Sequence, residues 1–142
     1  MGEIIKIDLG GGMNPHEGYV NVDKWEKADF ICDFESDPLP FDNDSVDEIL
    51  ARHIFEHIFN LKWIMNECHR VLKPWRLIKI TVPRWDHVNA IVNPTHCRFF
   101  HPDTFKFFDP ELHTNPYGFS PWRLQAVNMT DDEIYCEMAA RK

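Results

Sequence analysis

Six residues, Ile4 to Leu9, run straight into three consecutive glycines, Gly10 to Gly12, and that junction limits the chain to few folds. Ile4, Ile5, Ile7 and Leu9 suit a buried central strand of a parallel sheet. Asp8 stands just before the turn. Three glycines permit positive φ and let backbone approach a ligand with no Cβ in the way. A strand that ends in such a turn is where open α/β sheets bind nucleotide-like ligands. The same three glycines could also close a plain hairpin, so the segments that follow decide between the two readings.

Asn14 to Gly18 is turn chemistry. Tyr19 to Asp23 then reads as a second strand ending in an acid. The link from Gly12 to Tyr19 is too short for a full crossover helix, a departure from the usual dinucleotide-binding unit. Asp23, at the tip of that strand, is placed to accept hydrogen bonds from two ribose hydroxyls. Ala28 to Phe34 reads as a third strand passing Asp33. Pro38 to Ser45 is a loop, and Val46 to Ala51 a fourth strand. Ile54 to Leu72 carries apolar residues at helical spacing, with Asn60 as a break point and Pro74 as a stop. Arg76 to Pro83 is the fifth strand. Residues 84–102 are irregular, a length of loop that is usually functional or mobile. Pro102 to Phe108 is a short helix opened by proline. Trp122 to Met129 and Glu133 to Ala139 form a terminal hairpin over Thr130-Asp131-Asp132.

The 142 residues suffice for a single domain, 1–142, and are too few for two ordinary ones. A net charge of -8 with no long basic run disfavours a nucleic-acid partner. Cys32, Cys68, Cys97 and Cys136 form no C-x-x-C pair and read as free thiols. No signal peptide or long apolar span is visible, so the sequence-based expectation is a cytoplasmic protein with no membrane span. The aromatic residues are compatible with a homodimer.

Taken in order, D-L-G-G-G, N-V-D, C-D-F…P-L-P-F-D-N-D-S-V-D-E-I, H-I-F-E-H-I and H-R-V-L-K-P resemble a class I S-adenosylmethionine-dependent methyltransferase of the short, methyltransferase-11-like subgroup. P-T-H-C-R-F-F-H-P-D-T-F resembles that subgroup's segment after the fifth strand. The resemblance is strongest over residues 4 to 83. It implies an α/β fold: a Rossmann-like sheet, mostly parallel with an antiparallel C-terminal strand, here with a reduced number of helices. It implies that Asp8, Gly10 and Gly12 shape the methionine end of an S-adenosyl-L-methionine site, with Gly11 where the family often has cysteine. Asp23 would hold the ribose, and Asp33 with the backbone of Phe34 would face the adenine. Arg52 and His53 would lie near the methyl group. The chain departs from the pattern at Asn14-Pro15, where a further glycine is expected, and at Trp75-Arg76, where Gly-Gly is usual.

Methyl transfer is an in-line displacement that asks mainly for alignment and exclusion of water. A base is needed only where the nucleophile must lose a proton. His53, His96 and His101 are the catalytic candidates, with His87 behind them. The implied acceptor is a small molecule, a sugar or a lipid. Three other readings compete. A non-catalytic module would bind the cofactor without turnover. His53-Ile54-Phe55-Glu56-His57 matches H-x-x-E-H, which on a helix could hold zinc as in a hydrolase. His87, His96, Cys97 and His101 match no established metal-finger spacing, and no metal is assigned. A nicotinamide site would need glycine where Pro15 stands.

Overall fold

The computed structural model describes residues 2–142. Seven strands form one sheet in the order β3-β2-β1-β4-β5-β7-β6. They are β1 (Lys6–Leu9), β2 (Val20–Asp23), β3 (Phe30–Ile31), β4 (Val46–Arg52), β5 (Leu72–Pro83), β6 (Trp122–Met129) and β7 (Glu133–Ala140). The first five are parallel, and β7 inserts antiparallel between β5 and β6. The expected Rossmann-like sheet with an antiparallel C-terminal strand and few helices is therefore present.

Period-two alternation gives the sheet two unlike faces. Ile7, Leu9, Ile49, Ala51, Ile78, Ile80, Val82, Ile134, Cys136 and Met138 are buried. Against them packs α1 (Leu61–Val71), whose Leu61, Ile64, Met65, Cys68 and Val71 form one apolar stripe. Its first turn is capped by the Asn60 side chain, which accepts from the Trp63 N–H. On the opposite face Lys6, Glu48, Lys79, Tyr135 and Glu137 are only half-buried. Lys79 pairs with Glu48 at 3.1 Å, and the Tyr19 hydroxyl bonds the same carboxylate. Parallel sheets are usually covered by helices on both faces. Here the links β1–β2 and β2–β3 are too short to supply them, and charged pairs take their place.

Several local expectations shift. The first strand begins at Lys6, and Ile4 is exposed. The third shrinks to Phe30–Ile31. The helical stretch Ile54–Leu72 breaks at Asn60 as expected, into a 3-10 turn, Phe55–His57, and α1. Leu72 opens β5, with Trp75 at φ +64 inside a bulge against β4. Four residues of the irregular segment form a short helix, α2 (Val88–Ile91), and the expected short helix Pro102–Phe108 is of 3-10 type. All four cysteines are free, and only Cys97 is exposed. No helix among the described residues is long and apolar enough to cross a membrane.

Candidate functional site

The glycine turn forms the floor of a cleft of about 430 Å³ at the carboxyl ends of β1, β4 and β5. Gly10 adopts φ +75, and a Cβ there would lie 2.8 Å from Ile54 Cδ1. A Cβ on Gly11 would lie 2.6 Å from Asn21 Oδ1 and 3.1 Å from Asp8 Cγ. Gly10 is held to glycine by its conformation and by Ile54, whereas a side chain at Gly11 would have to displace the end of Asn21. Gly12, at φ +58, donates its N–H to Asp23 Oδ2 at 2.8 Å. That bond locks the turn to the tip of β2.

Asp8, Gly10, Gly11, Asn14, Arg52, His53, Thr81 and Glu133 line the cleft. Strand alternation explains why these side chains converge. Asp8, Arg52, Thr81 and Glu133 share the polar face, and Arg52 lies opposite Thr81, with Glu133 opposite Pro83. Asp8 is 1% exposed and engaged through one oxygen. Its Oδ2 accepts from Arg52 Nη2 at 3.0 Å and from the His16 N–H at 2.7 Å. Arg52 keeps 40% of its side chain accessible, so part of its guanidinium still faces the cleft.

His53 stands where the cleft meets a second chamber of about 220 Å³. Its backbone is left-handed, φ +55, and is pinned by its N–H to Thr81 O at 2.8 Å. Histidine is enriched in this region relative to bulkier residues, and such backbone clusters at functional sites. Nε2 of His53 pairs with Glu133, and Nδ1 lies 3.5 Å from Glu56 Oε2. The Glu56 carboxylate, with Glu133 behind it, holds this imidazole above its ordinary pKa. The chamber is lined by His53, Glu56, His57, Pro83, Asn89, Asn93, His96, Asp132 and Glu133. Burial pushes the His57 imidazole below its ordinary pKa.

The structure thus brings Asp8, Gly10, Gly11, Arg52 and His53 together around one cavity, and His96 into the adjoining one. Asp23, Asp33 and Phe34 lie beyond the cleft, along the ends of β2 and β3. Asp23 Oδ1 accepts from the Lys24 N–H at 2.6 Å. Asp33 pairs with Lys24 at 3.4 Å, and Phe34 is buried in the core. His101 lines neither cavity. Its Nδ1 accepts from the Asp103 N–H at 3.1 Å, capping the 3-10 turn, and its ring lies tilted at 51° against Trp85. Because His53 precedes the 3-10 turn, His53 and His57 do not share a helical face as H-x-x-E-H suggested. Glu133, Thr81 and Asn14 escaped sequence reasoning. Only the insertion of β7 beside β5 brings Glu133 to the cleft, and no local motif marks it.

The family model described as "Methyltransferase domain" matches residues 3–76, more than half of the 142-residue chain. No curated protein sequence matches the chain. Among solved structures, the YcgJ protein of Bacillus subtilis is similar at TM-score 0.71 and 14% identity, covering 99% of this chain and 93% of that one. A SAM-dependent methyltransferase from Archaeoglobus fulgidus is similar at TM-score 0.66 and 16% identity, covering 96% and 86%. The [4+2]-cyclase SpnF is similar at TM-score 0.70 and 11% identity, covering 99% and 75%. At these identities the likeness speaks for the fold, and one fold hosts several chemistries. The match over residues 3–76 identifies the family: the chain belongs to the methyltransferase domain family.

Proposed function

We propose that the protein binds S-adenosyl-L-methionine in the cleft and transfers its methyl group to a small or medium acceptor, such as a small metabolite, a sugar or a lipid. One observation carries the reading: Asp8, Arg52 and Glu133 surround a glycine floor that leaves the backbone open to a ligand. An amino-acid zwitterion bearing a sulfonium needs a cation for its carboxylate and anions for its ammonium and sulfonium. Arg52 supplies the first, and Asp8 with Glu133 the second. Asp23 and Asp33 extend the site along β2 and β3 toward a ribose and an adenine. Asp23 retains free lone pairs beside the backbone N–H groups it already accepts.

In this reading the chain's work is positional. Gly10 and Gly11 admit the methionine moiety, and Arg52 fixes its orientation. His53 marks the boundary between cofactor and acceptor, and the chamber beyond it receives the nucleophile. Where that nucleophile is a hydroxyl, His53 can take its proton once Nε2 is released from Glu133.

Calorimetric titration with S-adenosylmethionine and S-adenosylhomocysteine, with NADH as control, tests the proposal. One-to-one binding of the first two, weakened by Asp23→Ala and absent for NADH, is expected. A folded protein that binds neither would overturn it. Binding without turnover against a panel of hydroxyl, amine and thiol acceptors would leave only a cofactor-binding module.

A further inference from the structure

The chamber beside the cleft holds a donor set that methyl transfer does not use. Glu56, His57 and His96 each offer one ligand atom, and the three atoms lie within 4.8 Å of one another. Two come from the 3-10 turn after β4, and the third arrives from the irregular segment after α2. The Cys97 N–H donates to Glu56 O at 2.9 Å, which ties that segment to the turn.

Both imidazoles are held in one tautomer. His96 Nδ1 lies 3.0 Å from Ala90 O, a carbonyl that can only accept, so Nδ1 carries the proton. His57 Nδ1 lies 2.8 Å from Thr95 Oγ1. That hydroxyl already gives its proton to Asn93 Oδ1 at 2.7 Å, so it too accepts. Nε2 of each ring is therefore left with a free lone pair. A backbone carbonyl or hydroxyl on the far nitrogen is the usual support of a metal-binding histidine.

Glu56 is the second, independent sign. It is 2% exposed, and its Oε1 is buried without a hydrogen-bond partner. Its Oε2 has only long approaches, 3.5 Å to His53 Nδ1 and 4.0 Å to His96 Nε2. Burial of so poorly compensated a carboxylate is costly. A bound dication removes that cost.

We propose that Glu56, His57 and His96 form a binding site for a divalent first-row transition-metal ion, with an open coordination position facing the chamber. Two imidazole nitrogens and one carboxylate oxygen are the donors of open zinc sites and suit other borderline divalent ions. Ligand atoms at about 2.0–2.2 Å from a tetrahedral ion stand roughly 3.3–3.6 Å apart, so the trio closes on the ion by about 1 Å. The open position faces the same chamber that adjoins His53, where a polar group of an acceptor could complete the shell. The site does not depend on cofactor binding in the cleft.

The test uses tag-free full chain stripped with a chelator and titrated with Co²⁺ and Zn²⁺. Visible absorption reads the cobalt complex, and displacement by Zn²⁺ reads the zinc affinity. Near-ultraviolet circular dichroism reads folding for each variant. One Co²⁺ per chain is expected, with affinity reduced at least about 100-fold in Glu56→Gln and in His96→Gln and unchanged in the surface control His113→Gln. No saturable binding by the wild-type chain would overturn the proposal. So would wild-type affinity in either folded variant. Should one variant not fold, His57→Gln takes its place under the same criterion.

Discussion

The cleft and the chamber share His53, yet they treat buried charge in opposite ways. In the cleft, the Asp8 carboxylate is buried with Arg52 at 3.0 Å and a backbone N–H at 2.7 Å. In the chamber, the Glu56 carboxylate is buried with one oxygen unpartnered. In the first the buried carboxylate is already paired before any ligand arrives, while Arg52 and Glu133 still present charge to a zwitterion. In the second, Glu56 has only the long His53 contact at 3.5 Å and an oxygen without a partner, so it gains from a further cation. Two cavities that share His53 and Glu133 can thus call for ligands of different chemistry.

The largest expected effect breaks the cleft alone. Gly11→Val places a branched side chain where even a Cβ meets Asn21 and Asp8. S-adenosylmethionine affinity should fall at least about 100-fold, about 2.7 kcal/mol, by calorimetry, while Co²⁺ binding persists. Arg52→Met comes next. Losing a charge-assisted contact should weaken the cofactor by about 1.5–3 kcal/mol, and the unpaired Asp8 should lower the melting temperature.

A control lies outside both cavities. Glu67 accepts from the Leu39 N–H at 2.8 Å and from Arg70, fastening the loop before β4 to α1. Burial would raise this carboxyl, but Arg70 and the Leu39 N–H outweigh it and hold its pKa below the ordinary value of 4.5. A depressed carboxyl contributes stability above its unfolded pKa and loses it as pH falls through its folded one. Melting temperature should therefore drop as pH falls below about 4.5, and Glu67→Gln should flatten that slope at a cost of about 1–2 kcal/mol at neutral pH. In the chamber, Glu56→Gln should raise the stability of the chelator-stripped protein by about 1 kcal/mol while removing the metal. His101→Ala should do least. It removes a cap worth about 1 kcal/mol and should leave both affinities where they are.

Much of this was legible in the chain itself. Alternation in Leu77–Val82 and Ile134–Met138 announces strands with one buried face. The glycine run located the cleft, because space and positive φ leave glycine no substitute at Gly10. Asp8, Arg52 and His53 were readable because they flank strand ends on β1 and β4. The chamber was not readable as a unit. Its members His57 and His96 are far apart in sequence, and they meet only because Arg98 and the Cys97 N–H bond back to the turn at Glu56–Phe59. The break of the helical stretch Ile54–Leu72 at Asn60 is legible, but the start of its first turn is not. Apolar spacing continues through Phe55 and Ile58, but the φ of His53 and the cap at Asn60 redirect the chain.

The central claim, that the glycine-floored cleft is a cofactor site, is tested most directly by residue-resolved NMR titration of the ¹⁵N-labelled chain with S-adenosylmethionine. Saturable shifts at the amides of Gly10, Gly11, Gly12, Asp23, Arg52 and His53, all following one binding curve, are expected. Shifts confined to the half-buried polar face around Lys6, Glu48 and Lys79, or no saturable shifts in a well-dispersed spectrum, would contradict it.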